Sequence, residues 1–228
     1  MRIELDKHPK EPTIIVGFPG VGLVGPIVTE FLIDHMKTEQ IGRFIYDELP
    51  PTAAIHKGRL VHPMSVHYSE AHNTIIIYTI LNLKKQEWSV AHAIADLAKE
   101  LNAKTITCID GANSIGDEQT QLYFFGDEQL AQHGAKRMDE SVIMGVSGAL
   151  LLCSRPTNCI FASTQLEMPD SKAAAEIVKF LDKAMGLQVD YQPLLEQAKT
   201  FEDKLKGMMS QSQKALTEQD RKSMDYLG

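Results

Sequence analysis

Residues 13–36 constrain the fold more than any other part of the chain, because they spell out a strand, a tight turn and a helix. Thr13-Ile14-Ile15-Val16 is a short, apolar, β-branched run and reads as a buried strand. The glycine-punctuated segment GFPGVGLVG follows at 17–25. A helix then opens near Pro26 and runs to about Met36, since proline in a first helical turn gives up no hydrogen bond the helix would have made. A strand joined this tightly to a helix belongs to a sheet with helices packed on it.

Ile41 to Tyr46 reads as a second strand, and the paired prolines of Asp47-Glu48-Leu49-Pro50-Pro51 as a loop. Strand-like pieces at 52–56, 60–68 and 74–81 leave no room for a helix between them, so they form an antiparallel meander. From Gln86 the period changes. Val90, Ile94, Leu97 and Leu101 fall on one face of a helix. Thr105 to Ile109 reads as a strand that closes at a turn, Asp110-Gly111. The stretch 111–140 is loop-rich, with a strand at Leu122–Phe125 and a short helix after Asp127. GVSGALLL at 145–152 opens another helix, and Cys159 to Ser163 is a strand. A last helix carries Ala174, Ile177, Leu181 and Ala184, with Asp170 as N-cap and Gly186 as stop. Alternating strands and helices, plus one meander, predict a three-layer α/β/α sandwich with a mixed sheet over residues 1–190.

Residues 191–228 differ and read as a heptad-patterned helix with a flexible tail. Leu194, Ala198, Phe201, Leu205, Met208, Ser212 and Ala215 alternate spacings of four and three. Such a seam packs back on the domain or on a second subunit. Leu194, Phe201, Leu205 and Met208 are its candidate oligomer contacts.

Charge narrows the function classes. Lys and Arg total 23 against 30 Asp and Glu, a net −7, so no basic stripe is available for nucleic acid or an anionic membrane. No apolar run approaches the roughly 18–20 residues of a membrane span. MRIELDKHPK lacks the apolar centre of a signal peptide. The three cysteines, Cys108, Cys153 and Cys159, form no CxxC and suit reduced thiols in a cytoplasmic protein, with no zinc site.

Several motifs invite a chemical reading. Gly20-Val21-Gly22-Leu23-Val24-Gly25 is a literal G-x-G-x-x-G, and Asp47 lies 22 residues past Gly25, where an acidic residue could hold a ribose hydroxyl. Gly17-Phe18-Pro19 intervenes after the strand, however, and a meander replaces the second crossover helix. A tight turn that permits close packing fits these glycines better than a cofactor site. Gly145-Val146-Ser147-Gly148-Ala149 approaches a nucleophile elbow, but no histidine follows Ser147, so the order Ser, acid, His is impossible. Ser147 reads as a helix N-cap or first-turn residue. His56, His62, His67 and His72 lack zinc spacing and read as solvated. Asp110, Asp117 and Glu118 read as solvated loop carboxylates, and Trp88 as a core or interface anchor. No catalytic residue, metal or cofactor is expected. A small-molecule or nucleotide-binding enzyme using the Gly20–Gly25 turn is the alternative.

GFPGVGLVG at 17–25, DELPP at 47–51, GVSGALLL at 145–152 and PDSKAAAEIVKFLDKAMGLQVD at 169–190 resemble, in this order, the archaeal branch of the PAC2 family, the proteasome assembly chaperone 2-like proteins. The resemblance spans about 12 to 205. It implies a fold similar to purine nucleoside phosphorylase, a homotrimer or homotetramer, and an assembly-chaperone role on 20S proteasome α subunits. It also implies a C-terminal hydrophobic-Tyr-any tripeptide that docks between those subunits. Here Tyr226 stands third from the end, followed by Leu227 and Gly228 and preceded by Asp225, so the motif is shifted.

Overall fold

The structure, a computed structural model, describes residues 1–56, 58–113, 120–154, 156–164 and 169–196, together with Gly207 and Ser210. The strands are β1 (Arg2–Leu5), β2 (Thr13–Gly17), β3 (Glu39–Ile45), β4 (Ala54–His56), β5 (Arg59–Val61), β6 (Met64–Ser69), β7 (Thr74–Thr79), β8 (Thr105–Asn113), β9 (Leu122–Phe125), β10 (Lys136–Arg137) and β11 (Thr157–Thr164). The helices are α1 (Val24–His35), α2 (Glu87–Glu100), α3 (Gly145–Cys153), α4 (Ser171–Met185) and α5 (Gln192–Glu196).

Among the described residues, nine strands form one mixed sheet in the order β1-β3-β6-β7-β2-β8-β11-β9-β10, and β4 pairs with β5 in a separate hairpin. The centre is parallel, from β7 through β2 and β8 to β11. Of the expected meander, β6 and β7 pair antiparallel as their spacing predicts, but the piece at 52–56, β4, leaves the main sheet for the hairpin with β5, and β3 takes the place beside β6. Helices cover both faces. Ile14 and Val16 point to the layer of α2 and α3, and Ile15 points to the layer of α1 and α4. All three are fully buried, each worth about 1.5–3 kcal/mol over exposure. That double burial is why the run lacks polar alternation.

α4 begins and ends where its residues dictate. The Ala173 N–H donates to Asp170 Oδ1 at 3.0 Å, and Gly186 takes a left-handed φ of 64° at the C-terminal end. Leu187, Val189 and Leu194 extend the α1–α4 core, so packing continues into α5.

Three differences from the sequence reading have clear causes. The span 60–68 splits at His62-Pro63, because proline offers no N–H to a ladder, and its halves join different sheets. The edge strand β1 was not expected, since its alternating charges hide a short hydrophobic pattern; it pairs antiparallel with β3. Asp110-Gly111 is not a turn. β8 runs through it to Asn113, because β11 matches it residue for residue and satisfies the backbone.

Candidate functional site

Gly17, the last residue of β2, pairs with Ile109, so β8 outlasts β2 by the four residues 110–113. On one side the overhang is covered by β11, where Phe161 stands opposite Asp110. On the other side the glycine turn folds back over it. A Cβ on Gly111 would lie 2.1 Å from the Val21 carbonyl oxygen, and one on Gly20 would lie 2.3 Å from Asp110 Oδ1. Only residues without side chains permit that approach.

The other motif glycines do different work. Gly25 sits on the Ile109 carbonyl and on Phe18, where a Cβ would come within 2.8 Å of backbone. Gly22 has a φ of 63° and packs on Thr164 and Asp170. Its carbonyl accepts the Asp170 N–H at 2.8 Å. Gly22 and Gly25 therefore seal helix to sheet, and Gly20 alone of the three faces the overhang's carboxylate. Asp47, exposed at the end of β3, stands three strands from β2, about 14 Å across the sheet. The structure does not bring it to the glycines.

Asp110 shares the α3 side of β8 with Ile106 and Cys108. It is half-buried, not a solvated loop carboxylate. Oδ1 accepts the Gly111 N–H at 2.8 Å, and Oδ2 accepts the Ser147 hydroxyl at 3.2 Å. Burial pushes its pKa up to about 6, and those two hydrogen bonds partly oppose the rise. Ser147 is buried in the first turn of α3, whose N-cap, Met144, supplies no side-chain cap. The pairing was missed in the sequence, although the alternation 106, 108, 110 along a strand carries the signal.

These residues line a cavity of about 540 Å³ at the C-terminal ends of the parallel strands, walled by Phe18, Leu83, Ile143, Val146 and Phe161. Ligands in open α/β sheets bind at such strand ends. No histidine lines it among the described residues. Among the described residues Ser147 thus has a carboxylate to donate to, but no imidazole to take its proton.

Elsewhere, His67 is half-buried rather than solvated. Its Nε2 lies 2.9 Å from Ser65 Oγ, and burial lowers its pKa to about 4, with Asp34 opposing weakly. Cys108 and Cys159 stand opposite each other on β8 and β11 as buried free thiols. Their mutual hydrogen bond, then burial, drives the Cys108 pKa well up. No three His, Cys, Asp or Glu side chains gather as a metal site among the described residues. No described helix is long and apolar enough to cross a membrane. Asp117 and Glu118 lie outside the described residues.

The sequence model of the PAC2 family matches residues 14–209, which include the glycine turn, the overhang and α3. The chain belongs to the PAC2 family. Pyrococcus furiosus PbaA, described as an archaeal homolog of proteasome-assembly chaperone, superposes with a TM-score of 0.83 at 28% identity, over 93% of this chain and 99% of that one. P. furiosus PbaB, described as an archaeal proteasome activator, shares the fold at a TM-score of 0.70 and 20% identity, over 90% and 97% of the two chains. The uncharacterized protein MJ0106 of Methanocaldococcus jannaschii is 24% identical over 225 residues, 96% of this chain and 94% of its own.

In this PAC2 chain several large apolar side chains are bare. Ile55 and Leu60 stand opposite each other on the β4–β5 hairpin, 72% and 63% exposed. Val142, Met144 and Leu152, on and beside α3, are 86%, 79% and 77% exposed. Trp88 is also exposed, so it is not a core anchor; its ring lies 5.8 Å from that of His92. Leu194 is buried within its own subunit, whereas Phe201, Leu205, Met208, Tyr226, Leu227 and Gly228 lie outside the described residues.

Proposed function

We propose that this protein is a proteasome-assembly-chaperone-like factor that acts in the cytoplasm through protein contacts, without catalysis, as a homo-oligomer. Its partner would be the α subunits of the 20S proteasome. The observation that carries this reading is the whole-length likeness to PbaA, with 99% of that chain covered. The bare apolar pair Ile55 and Leu60, together with Val142, Met144 and Leu152, favours it further. Exposed apolar groups that stand together, as Ile55 and Leu60 do, are the kind of patch through which proteins meet. The candidate docking end is Tyr226-Leu227-Gly228, where an aromatic anchor and a terminal carboxylate could seat in a pocket between subunits.

The test is co-migration with 20S α subunits on size exclusion, with and without residues 222–228. A complex that weakens on deletion supports docking through the tail. No complex under several salt conditions contradicts the reading.

The cavity at the strand ends favours a second activity, small-molecule binding. Nucleotide binding through the glycine turn loses support from the placement of Asp47, so the cavity's own chemistry decides what it would take.

A further inference from the structure

We propose that the cavity beside the glycine turn binds a small organic cation, an ammonium group on an apolar body, with the ammonium against the Asp110 carboxylate. This stands independently of any proteasome role.

The size and place fit a ligand. About 540 Å³ is within the range of small-molecule sites, and the cavity opens where parallel strands end.

The charge selects the sign. An ionised carboxylate offers about four acceptor positions. Among the described residues two hydrogen bonds reach Asp110, both from neutral donors, the Gly111 N–H and the Ser147 hydroxyl. Among the described residues no Lys, Arg or His forms an ion pair with it. The described lining adds one more carboxylate, Glu87, against one cation, the exposed Lys84. A partly buried carboxylate without a counter-charge is costly, and a ligand cation supplies what the protein does not. The same charges repel a phosphate or a carboxylate ligand.

The walls select the body. Phe18, Leu83, Ile143, Val146 and Phe161 give the cavity apolar and aromatic sides, which favour a hydrocarbon or aryl stem over a sugar. Gly20 keeps the floor open, since a Cβ there would fall 2.3 Å from Asp110 Oδ1.

The test uses the full chain and two probes of nearly equal shape, benzylamine and benzyl alcohol, titrated by saturation-transfer NMR near neutral pH. Benzylamine should bind saturably, and benzyl alcohol roughly tenfold or more weaker, because it lacks the charge that pairs with Asp110. Asp110→Asn should erase that preference. Equal binding of both probes, no saturable binding of benzylamine, or a preference that survives Asp110→Asn would overturn the proposal. Should Asp110→Asn not fold, the two probes on the unaltered chain still decide.

Discussion

Ser147 Oγ donates a 3.2 Å hydrogen bond to Asp110 Oδ2, which ties the first turn of α3 to the part of β8 that outlasts β2. The carboxylate keeps this bond at the expense of solvation, and its pKa stands near 6 instead of 3.8. Between those two values the folded chain holds a proton that the unfolded chain has lost. Stability from this group therefore falls as pH rises from about 4 to 6. Asp110→Asn should raise stability at neutral pH by up to about 3 kcal/mol, less the weakened hydrogen bonds, and give no gain near pH 4. Denaturant melts at both pH values check this. Equal effects at both would contradict it.

His67 carries the opposite slope. Burial lowers its pKa from 6.5 to about 4. Between those values the unfolded chain binds a proton that the folded chain refuses, so stability falls as pH drops from about 6.5 to 4. In the unaltered chain the two groups largely offset each other across this window. His67→Gln should leave Asp110 uncompensated, so that stability rises on acidification by up to about 3 kcal/mol. A pH series of urea melts reads the slope directly, and an unchanged slope would count against the buried, neutral imidazole.

The glycine seams should be intolerant of a methyl group. Gly111→Ala would place a Cβ 2.1 Å from the Val21 carbonyl oxygen, and Gly25→Ala one 2.8 Å from that of Ile109. Both neighbours are backbone and cannot swing away. Each substitution should cost about 1–3 kcal/mol or more. Thermal melts that move by less than the error of measurement would mean the turn does not press on β8.

Substitutions along the tail would separate packing within one subunit from the proposed contact between subunits. Leu194 is 2% exposed on the α1–α4 core, so Leu194→Asp should destabilise the subunit by several kcal/mol, about the cost of an unpaired buried charge. Phe201→Asp and Leu205→Asp should instead lower the mass seen by light scattering and leave the subunit's melt nearly unchanged. An unchanged mass would assign those residues to packing within one subunit.

Much of the fold was legible because local pattern and global packing agree. The β-branched run 13–16, the heptad-like spacing from Val90 to Leu101 and the Asp170 and Gly186 helix ends each took the structure their chemistry prefers. What was not legible depended on partners distant in sequence. Asp110-Gly111 has strong turn chemistry, and only the register with β11 keeps it extended. The pairing of Asp110 with Ser147, 37 residues apart, arises because the glycine turn and α3 converge on the overhang. Asp47 showed the reverse: a suggestive spacing that the strand order β3-β6-β7-β2 pulls apart.

We propose above all that this PAC2 chain binds the proteasome. Purified chain mixed with 20S α subunits of its own organism, followed by light scattering in line with size exclusion, tests it most directly. The expected result is a shared peak whose mass exceeds that of either component, and which shrinks on deletion of residues 222–228. Two separate peaks with unchanged masses, at low and moderate salt alike, would contradict it.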